Sequence, residues 1–220
     1  MEFFELVKNV RAMRRLKTDP VPLSLLRKVL GAAVHAPSGM NSQPWSFLIL
    51  QNPEDRAFFA DLYRKAAASR GAGQVKPRVG SRLERAMGAF SHQLEHLQDA
   101  PILLLACGVR DWPFAVPEEK RVGPAPPNYG ALYPCIQNIL LGCREVGLGA
   151  ALTTLHQLFP DEIAERFRIP DTWGVVAVLP IGFPTGKFGP TRRIPAEERT
   201  YFDRFGDTEA SRWSGVDANA

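Results

Sequence analysis

The chain lacks what would mark it as a membrane protein, a disulfide-rich secreted protein or a member of the common nucleotide-binding and hydrolase folds. Its longest apolar runs, such as residues 102–108 and 175–181, are far too short to cross a bilayer. The opening Met1-Glu2-Phe3-Phe4-Glu5 has no charged region ahead of an apolar stretch and no small-residue cleavage site. No secretory signal is expected, and a cytoplasmic location follows by default. Cysteine is scarce: Cys107, Cys135 and Cys143 are odd in number, sit among apolar neighbours and form no C-x-x-C pair. Buried, inert thiols are expected, with no thioredoxin-like or zinc-ribbon role.

Also missing are a G-x-S-x-G elbow, a P-loop and a G-x-G-x-x-G fingerprint. Gly147-Leu148-Gly149 opens like the last of these. It lacks the third glycine and follows a helical pattern instead of a strand, which is the wrong context. There is no internal repeat and no low-complexity tract.

What remains is an ordinary globular composition. The 220 residues are 45 % apolar and 23 % charged, enough for a sizeable core in one domain. That domain is expected to span residues 1–210, with 211–220 as a disordered tail. The net charge of +4 is modest but uneven. Lys8, Arg11, Arg14, Arg15 and Lys17 crowd together near the start, and more basic residues lie between Arg64 and Arg85. The partner is a phosphorylated small molecule or a nucleic acid; charge alone does not separate them.

Periodicity predicts helices over residues 2–16, 24–34, 54–68, 81–97, 129–146 and 160–167. It predicts buried strands over 45–50, 102–107, 147–153 and 175–181. Residues 69–80 read as a mobile, basic, glycine-rich stretch. Residues 111–128 are proline-rich and irregular. Helices outnumber strands without strict alternation, which argues for an α+β sandwich around a small sheet. Tyr201, Phe202 and Phe205 form an aromatic-rich tail that needs a surface to bury against, either its own core or a partner subunit.

His92-Gln93-Leu94-Glu95-His96 matches the H-x-x-E-H pattern of inverted zincins, with both histidines on one helical face. No third ligand is evident, so a solvated helix face is the expected reading and no metal is assigned. Four other segments carry more. Arg11-Ala12-Met13-Arg14-Arg15 offers guanidinium groups that grip a phosphate in bidentate fashion, or else a solvated basic face. Residues 36–45, Ala36-Pro37-Ser38-Gly39-Met40-Asn41-Ser42-Gln43-Pro44-Trp45, set hydroxyl and amide donors between a helix and a strand. Residues 147–154 end on Thr153 and Thr154, whose amides could donate hydrogen bonds. Arg192 and Arg193 lie in a loop after the last strand.

In this order and spacing, the four segments resemble the nitroreductase family of flavoproteins over roughly residues 3–206. The Pro37-Ser38-Gly39-x-Asn41-Ser42-Gln43-Pro44-Trp45 match is the most specific. The resemblance implies an α/β/α sandwich with a small mixed or antiparallel sheet, helices on both faces and a domain-exchanged C-terminal arm. It implies a homodimer with FMN at the subunit interface. Carried over to this chain, the segment of Arg11, Ala12, Met13, Arg14 and Arg15, together with Arg192 and Arg193, holds the FMN phosphate. Pro37, Ser38 and Gly39 meet the isoalloxazine edge. Asn41 and Gln43 contact flavin or substrate, often from the opposite subunit. Thr153 and Thr154 mark where a main-chain amide faces flavin N5 or O4. Two departures matter: Ala12 stands where relatives often have serine, and Thr153 and Thr154 stand where many have glycine, which narrows the space over the ring.

The implied activity is hydride transfer from NADH or NADPH through FMN to a nitroaromatic, a quinone or a similar small acceptor, with ping-pong kinetics and no acid–base side chain. Residues 63–98 would form a cap whose Lys65, Arg70, Lys76, Arg78, Arg82 and Arg85 meet an anionic substrate or stay solvated. A reductive dehalogenase or flavin-fragmenting enzyme is the alternative within the superfamily. A non-catalytic flavin-binding protein and a basic nucleic-acid-binding protein are the alternatives outside it, the last lacking any recognisable module.

Overall fold

The computed structural model describes residues 1–71, 78–113 and 115–206. Lys76 and the expected tail 211–220 fall outside the described residues, as does the side chain of Arg82. The described chain is an α+β sandwich. Four strands, β1 (Trp45–Leu50), β2 (Ile102–Val109), β3 (Gly149–Ala150) and β4 (Trp173–Gly182), form one sheet in the order β1-β2-β4-β3. Every pairing is antiparallel.

The central strands are apolar on both sides because each side feeds a separate core. Ile102, Leu104 and Ala106 of β2 point into one core, with Leu26 and Val29 of α2 (Leu23–Ala33) and Ile136 and Ile139 of α5 (Tyr129–Glu145). Leu103, Leu105 and Cys107 point into the other. There they meet Phe59 and Tyr63 of α3 (Pro53–Ser69) and Ile163 of α6 (Pro160–Phe167). A bulge between Ala106 and Cys107 breaks the alternation, and consecutive Val176 and Ala177 then both face the first core. The cysteines are free and buried; burial pushes the thiols of Cys107 and Cys135 up to about 11 and that of Cys143 up to about 12.

Helix starts follow local chemistry. Asn52 caps α3, its side-chain oxygen accepting from the Glu54 amide at 2.8 Å, with Pro53 opening the first turn. Ser81 caps α4 (Arg82–His96), and Glu84 reaches back to accept from the Gly80 amide at 2.6 Å. α3 and α4 enclose an apolar cleft of about 660 Å³ walled by Met87, Phe90, Leu94 and Leu155.

The first helix is shorter than its periodicity predicts. α1 covers only Phe3–Asn9 and buries none of its residues. From Val10 the chain is extended, because the sheet edge competes for its backbone. The Met13 amide donates to the Ala150 carbonyl at 2.9 Å and the Lys17 amide to Phe183 at 2.7 Å. That segment lies so close to β3 that a Cβ on Gly149 would sit 2.9 Å from Met13 Cβ and 3.1 Å from Pro184 Cβ. Gly147 has φ of +80°. The two glycines of the truncated fingerprint thus serve a helix stop and a close crossing.

After β4 the chain folds back over its own start. The Thr185 amide donates to Arg15 at 3.0 Å and the Thr191 amide to Lys8 at 3.1 Å. As far as Thr191, therefore, the arm rests on its own subunit.

Candidate functional site

Where the extended segment after α1, the C-terminal half of α5 and the returning arm meet, they enclose a cavity of about 560 Å³. Its walls carry Lys8, Arg11, Arg144 and Arg193, and no aspartate or glutamate. The apolar floor is Leu140, Leu148 and Leu152. A pocket of this size with one sign of charge on an apolar base suits a small anionic ligand.

Arg144 is the best-placed of the four. Its guanidinium lies over the Phe188 ring, 4.1 Å from the centroid, so the arm holds it in place. Its Nε is buried and has no hydrogen-bond partner among the described residues. An unpaired buried donor of this kind costs roughly 1–3 kcal/mol unless a ligand meets it.

The predicted site residues are not all brought together. Arg11, Ala12 and Arg193 line the cavity. Met13 is buried beside it, tied by its amide to β3. Arg14 and Arg15 turn to the other side of the segment: Arg14 lines a small recess with His92 and Gln93, and an Arg15 Nη donates to the Gly88 carbonyl at 3.5 Å. Arg192 is exposed, and its carbonyl accepts from Arg193 at 3.1 Å.

The loop with Pro37, Ser38, Gly39, Asn41 and Gln43 does not line this cavity in the single chain. Apart from half-buried Ser38, these residues are exposed. The loop is nonetheless tightly formed. Ser38 Oγ accepts from the Gln43 amide at 3.2 Å. Met40, Asn41 and Gln43 all have φ near +50°, in the left-handed region. Three non-glycine residues there within four positions store about 1–3 kcal/mol each. Met40 is fully exposed at its tip (102 %).

Thr153 and Thr154 divide their roles. The Thr153 backbone exchanges two hydrogen bonds with Val178, at 2.9 and 3.0 Å, so its amide is not free for a ligand. The Thr154 amide has no acceptor among the described residues, which makes it the available donor in this turn. The Thr153 hydroxyl is spent on Tyr63 at 3.0 Å.

His92 and His96 do lie together, ring centroids 4.4 Å apart. His96 Nδ1 is 2.8 Å from an Asp99 oxygen, and no group of three such side chains converges as a metal site among the described residues. No helix among them is long and apolar enough to cross a membrane.

Sequence reasoning missed Arg144 and Phe188 as site residues. The signal for Arg144 was available: it and Glu145 are the only charged residues of α5. Phe188 sits in a segment without periodicity, so nothing local marked it.

Comparison with known proteins places the chain in a family. The model of the Nitroreductase family matches residues 7–183. An iodotyrosine deiodinase from Thermotoga neapolitana is 30 % identical over 185 residues, covering 82 % of this chain and 88 % of that protein. A 5,6-dimethylbenzimidazole synthase from Rhodospirillum rubrum is 27 % identical over 182 residues, covering 79 % and 78 %. The crystal structure of oxidised iodotyrosine deiodinase bound to FMN and 3-iodo-L-tyrosine superposes with a TM-score of 0.65 at 25 % identity, covering 88 % of this chain and 94 % of that one. A BluB-like flavoprotein from Clostridium difficile has a TM-score of 0.70 at 23 % identity, covering 93 % and 100 %, a likeness of fold. With a family model matched from the first helix to the end of the sheet, the chain belongs to the nitroreductase family.

Proposed function

We propose that the chain is an FMN-dependent oxidoreductase that draws on NADH or NADPH and works as a homodimer. The observation that carries this reading is the cavity with four cations, no carboxylate and an unpartnered Arg144 Nε. A phosphate monoester dianion answers both features. Arg11, Arg144 and Arg193, with Lys8 at the rim, would hold the FMN phosphate through charge-assisted hydrogen bonds. The apolar floor would carry the ribityl chain toward the Thr153–Thr154 turn, whose free amide is the donor for the ring.

Bound FMN would supply two-electron chemistry, accepting hydride from the nicotinamide and passing it to an electron-poor acceptor such as a nitroaromatic or a quinone. The protein's part is to bind, orient and exclude water. The concave, apolar-floored cavity suits a small molecule better than a nucleic-acid backbone, which calls for an extended basic surface.

Two features support a homodimer. Pro37, Ser38, Gly39, Asn41 and Gln43 lie on an exposed, strained loop away from the cationic cavity of the same chain, so a complete site needs a second copy. Phe3 and Phe4 on α1 are 62 % and 75 % exposed, which a partner would cover.

Reductive dehalogenation of a phenol is the second reading, favoured by the 30 % identity to an iodotyrosine deiodinase. One experiment separates the readings. The purified protein is loaded with FMN, reduced anaerobically with each nicotinamide, and offered a nitroarene, a quinone and an iodophenol. Flavin reoxidation by the first two with none by the third supports the main reading, and halide release supports the second. A protein that takes up no FMN contradicts both.

A further inference from the structure

Beneath the Thr153–Thr154 turn lies a buried polar cluster with no assigned role. The Thr153 hydroxyl is 3.0 Å from the Tyr63 hydroxyl, and Gln93 Nε2 donates to that same hydroxyl at 3.1 Å. All three are buried, at 2 % exposure for Tyr63, 3 % for Gln93 and 9 % for Thr153. They come from α3, from α4 and from the turn after β3, so the cluster joins three elements remote in sequence.

The surroundings are apolar: Phe59, Leu97 and Val178 belong to the same core. A phenylalanine and a leucine would fill these places without polar atoms to satisfy. The polar trio carries a cost, since Gln93 Oε1 is buried with no partner among the described residues. Burial raises the Tyr63 pKa, against the opposing pull of the Thr153 hydrogen bond and the Arg14 charge. The hydroxyl is therefore protonated at neutral pH.

Thr153 is held on two sides, its backbone by Val178 and its side chain by Tyr63. The next N–H, that of Thr154, is the free donor of the turn, and its place is set by how Thr153 is held. Tyr63 also packs edge-on against Phe90, ring centroids 6.4 Å apart. Phe90 walls the α3–α4 cleft, and so does Leu155, the residue after the turn.

We infer that Tyr63, steadied by Gln93, is a positioning residue that fixes the Thr153–Thr154 turn against the cofactor ring and couples it to the α3–α4 cleft. The inference rests on the FMN reading above. It assigns Tyr63 no contact with cofactor or substrate: it acts through Thr153.

The test compares FMN-loaded wild type with Tyr63→Phe, Thr153→Val and the double variant. The measurements are the FMN dissociation constant, the midpoint potential of the bound flavin and the rate of anaerobic reduction by the nicotinamide. FMN affinity should stay within about twofold, because the phosphate grip lies on other residues. The potential should move from the wild-type value. Reduction should slow about tenfold with little change in the KM for the nicotinamide. The double variant should be no worse than Tyr63→Phe alone, since that substitution already removes the bond from Thr153. A purely structural role would lower stability and leave the potential where it was. Tyr63→Phe with the wild-type potential and rate, or singles whose effects multiply in the double, overturns the inference. If Tyr63→Phe does not fold, Thr153→Val and Gln93→Met carry the same measurement, and an unchanged potential in both overturns it. A wild-type protein that binds no FMN overturns the underlying reading as well. A wild type that binds and turns over beside an indistinguishable Tyr63→Phe overturns this inference alone.

Discussion

The Arg144 guanidinium lies 4.1 Å over the ring of Phe188, so a side chain from the central helix is pinned by the arm that returns after the last strand. The contact closes the cationic cavity from two directions, and the Arg144 Nε is buried with no partner among the described residues. Replacing Arg144 by alanine should weaken FMN binding about tenfold or more, the worth of a charged hydrogen bond. Phe188→Ala keeps the charge but frees it, and a loss of only two- to fivefold or so is expected. Flavin fluorescence titration of both variants measures the difference, and equal losses would show that the stacking, not the charge, matters.

Gly149 is where the extended opening segment crosses β3. A Cβ there meets Met13 Cβ at 2.9 Å and Leu16 Cδ2 at 3.0 Å. Gly149→Ala should cost about 1–3 kcal/mol in urea unfolding, as overpacking does. It should also loosen Arg11, which sits two residues before Met13, and so lower FMN loading. A variant as stable as the wild type would mean that the crossing relaxes freely.

His156 sets a pH dependence. It is buried, its Nε2 lies 3.0 Å from the Val175 carbonyl, and its Nδ1 has no partner among the described residues. Burial lowers its pKa below 6.5, with the Val175 hydrogen bond opposing. The unfolded chain therefore binds a proton at a higher pH than the folded one. Stability should fall as pH drops below about 6.5, by up to roughly 1.4 kcal/mol per pH unit for this one proton, until the folded-state pKa is reached. The His92 pKa is lowered too, by burial first and then by His96 and Arg15, and adds in the same direction. His156→Gln should flatten the slope between pH 6.5 and 5 in denaturant titrations. An unchanged slope would place the acid sensitivity elsewhere.

Much of the architecture was legible from residue order. Three strands read true because runs such as Ile102 to Cys107 are apolar at every position, as in a sheet covered on both faces. The strand expected over 147–153 pairs only at Gly149–Ala150, with Thr153 making an isolated bridge to Val178. Most helices read true within a residue or two, their starts marked by Asn52, Ser81 and Asn128. The opening helix misread because Val10, Met13 and Leu16 fit a helical face, yet the Met13 backbone pairs with Ala150 and that of Leu16 with Pro184 after β4. Helical spacing carries no sign of a remote sheet edge that will claim the same amides. The arginines were legible as a group but not one by one. Arg11 and Arg193 line the cavity while Arg14 and Arg15 face α4, a division set by the path of the extended segment. The Tyr63–Gln93–Thr153 cluster left no local trace, since its members lie 30 and 90 residues apart.

The exposed aromatic pair on α1 gives an assembly prediction. Phe3 and Phe4 pack edge-on against each other, 5.4 Å apart, with no buried neighbour on their own helix. Phe3→Ser with Phe4→Ser should shift a dimer toward monomer in sedimentation velocity, and FMN affinity should fall with it. A wild type that sediments as a monomer while holding FMN would remove the second copy from the site.

The most direct test of the central claim is an equilibrium titration of the flavin-free protein with FMN, read by fluorescence quenching against Arg11→Ala and Arg193→Ala. Saturation at one FMN per chain is expected, with each variant weakened about tenfold or more. Wild type and variants that bind alike, or a wild type that leaves FMN fluorescence unquenched and retains no flavin once the excess is removed, would contradict the assignment of this cavity to the flavin phosphate.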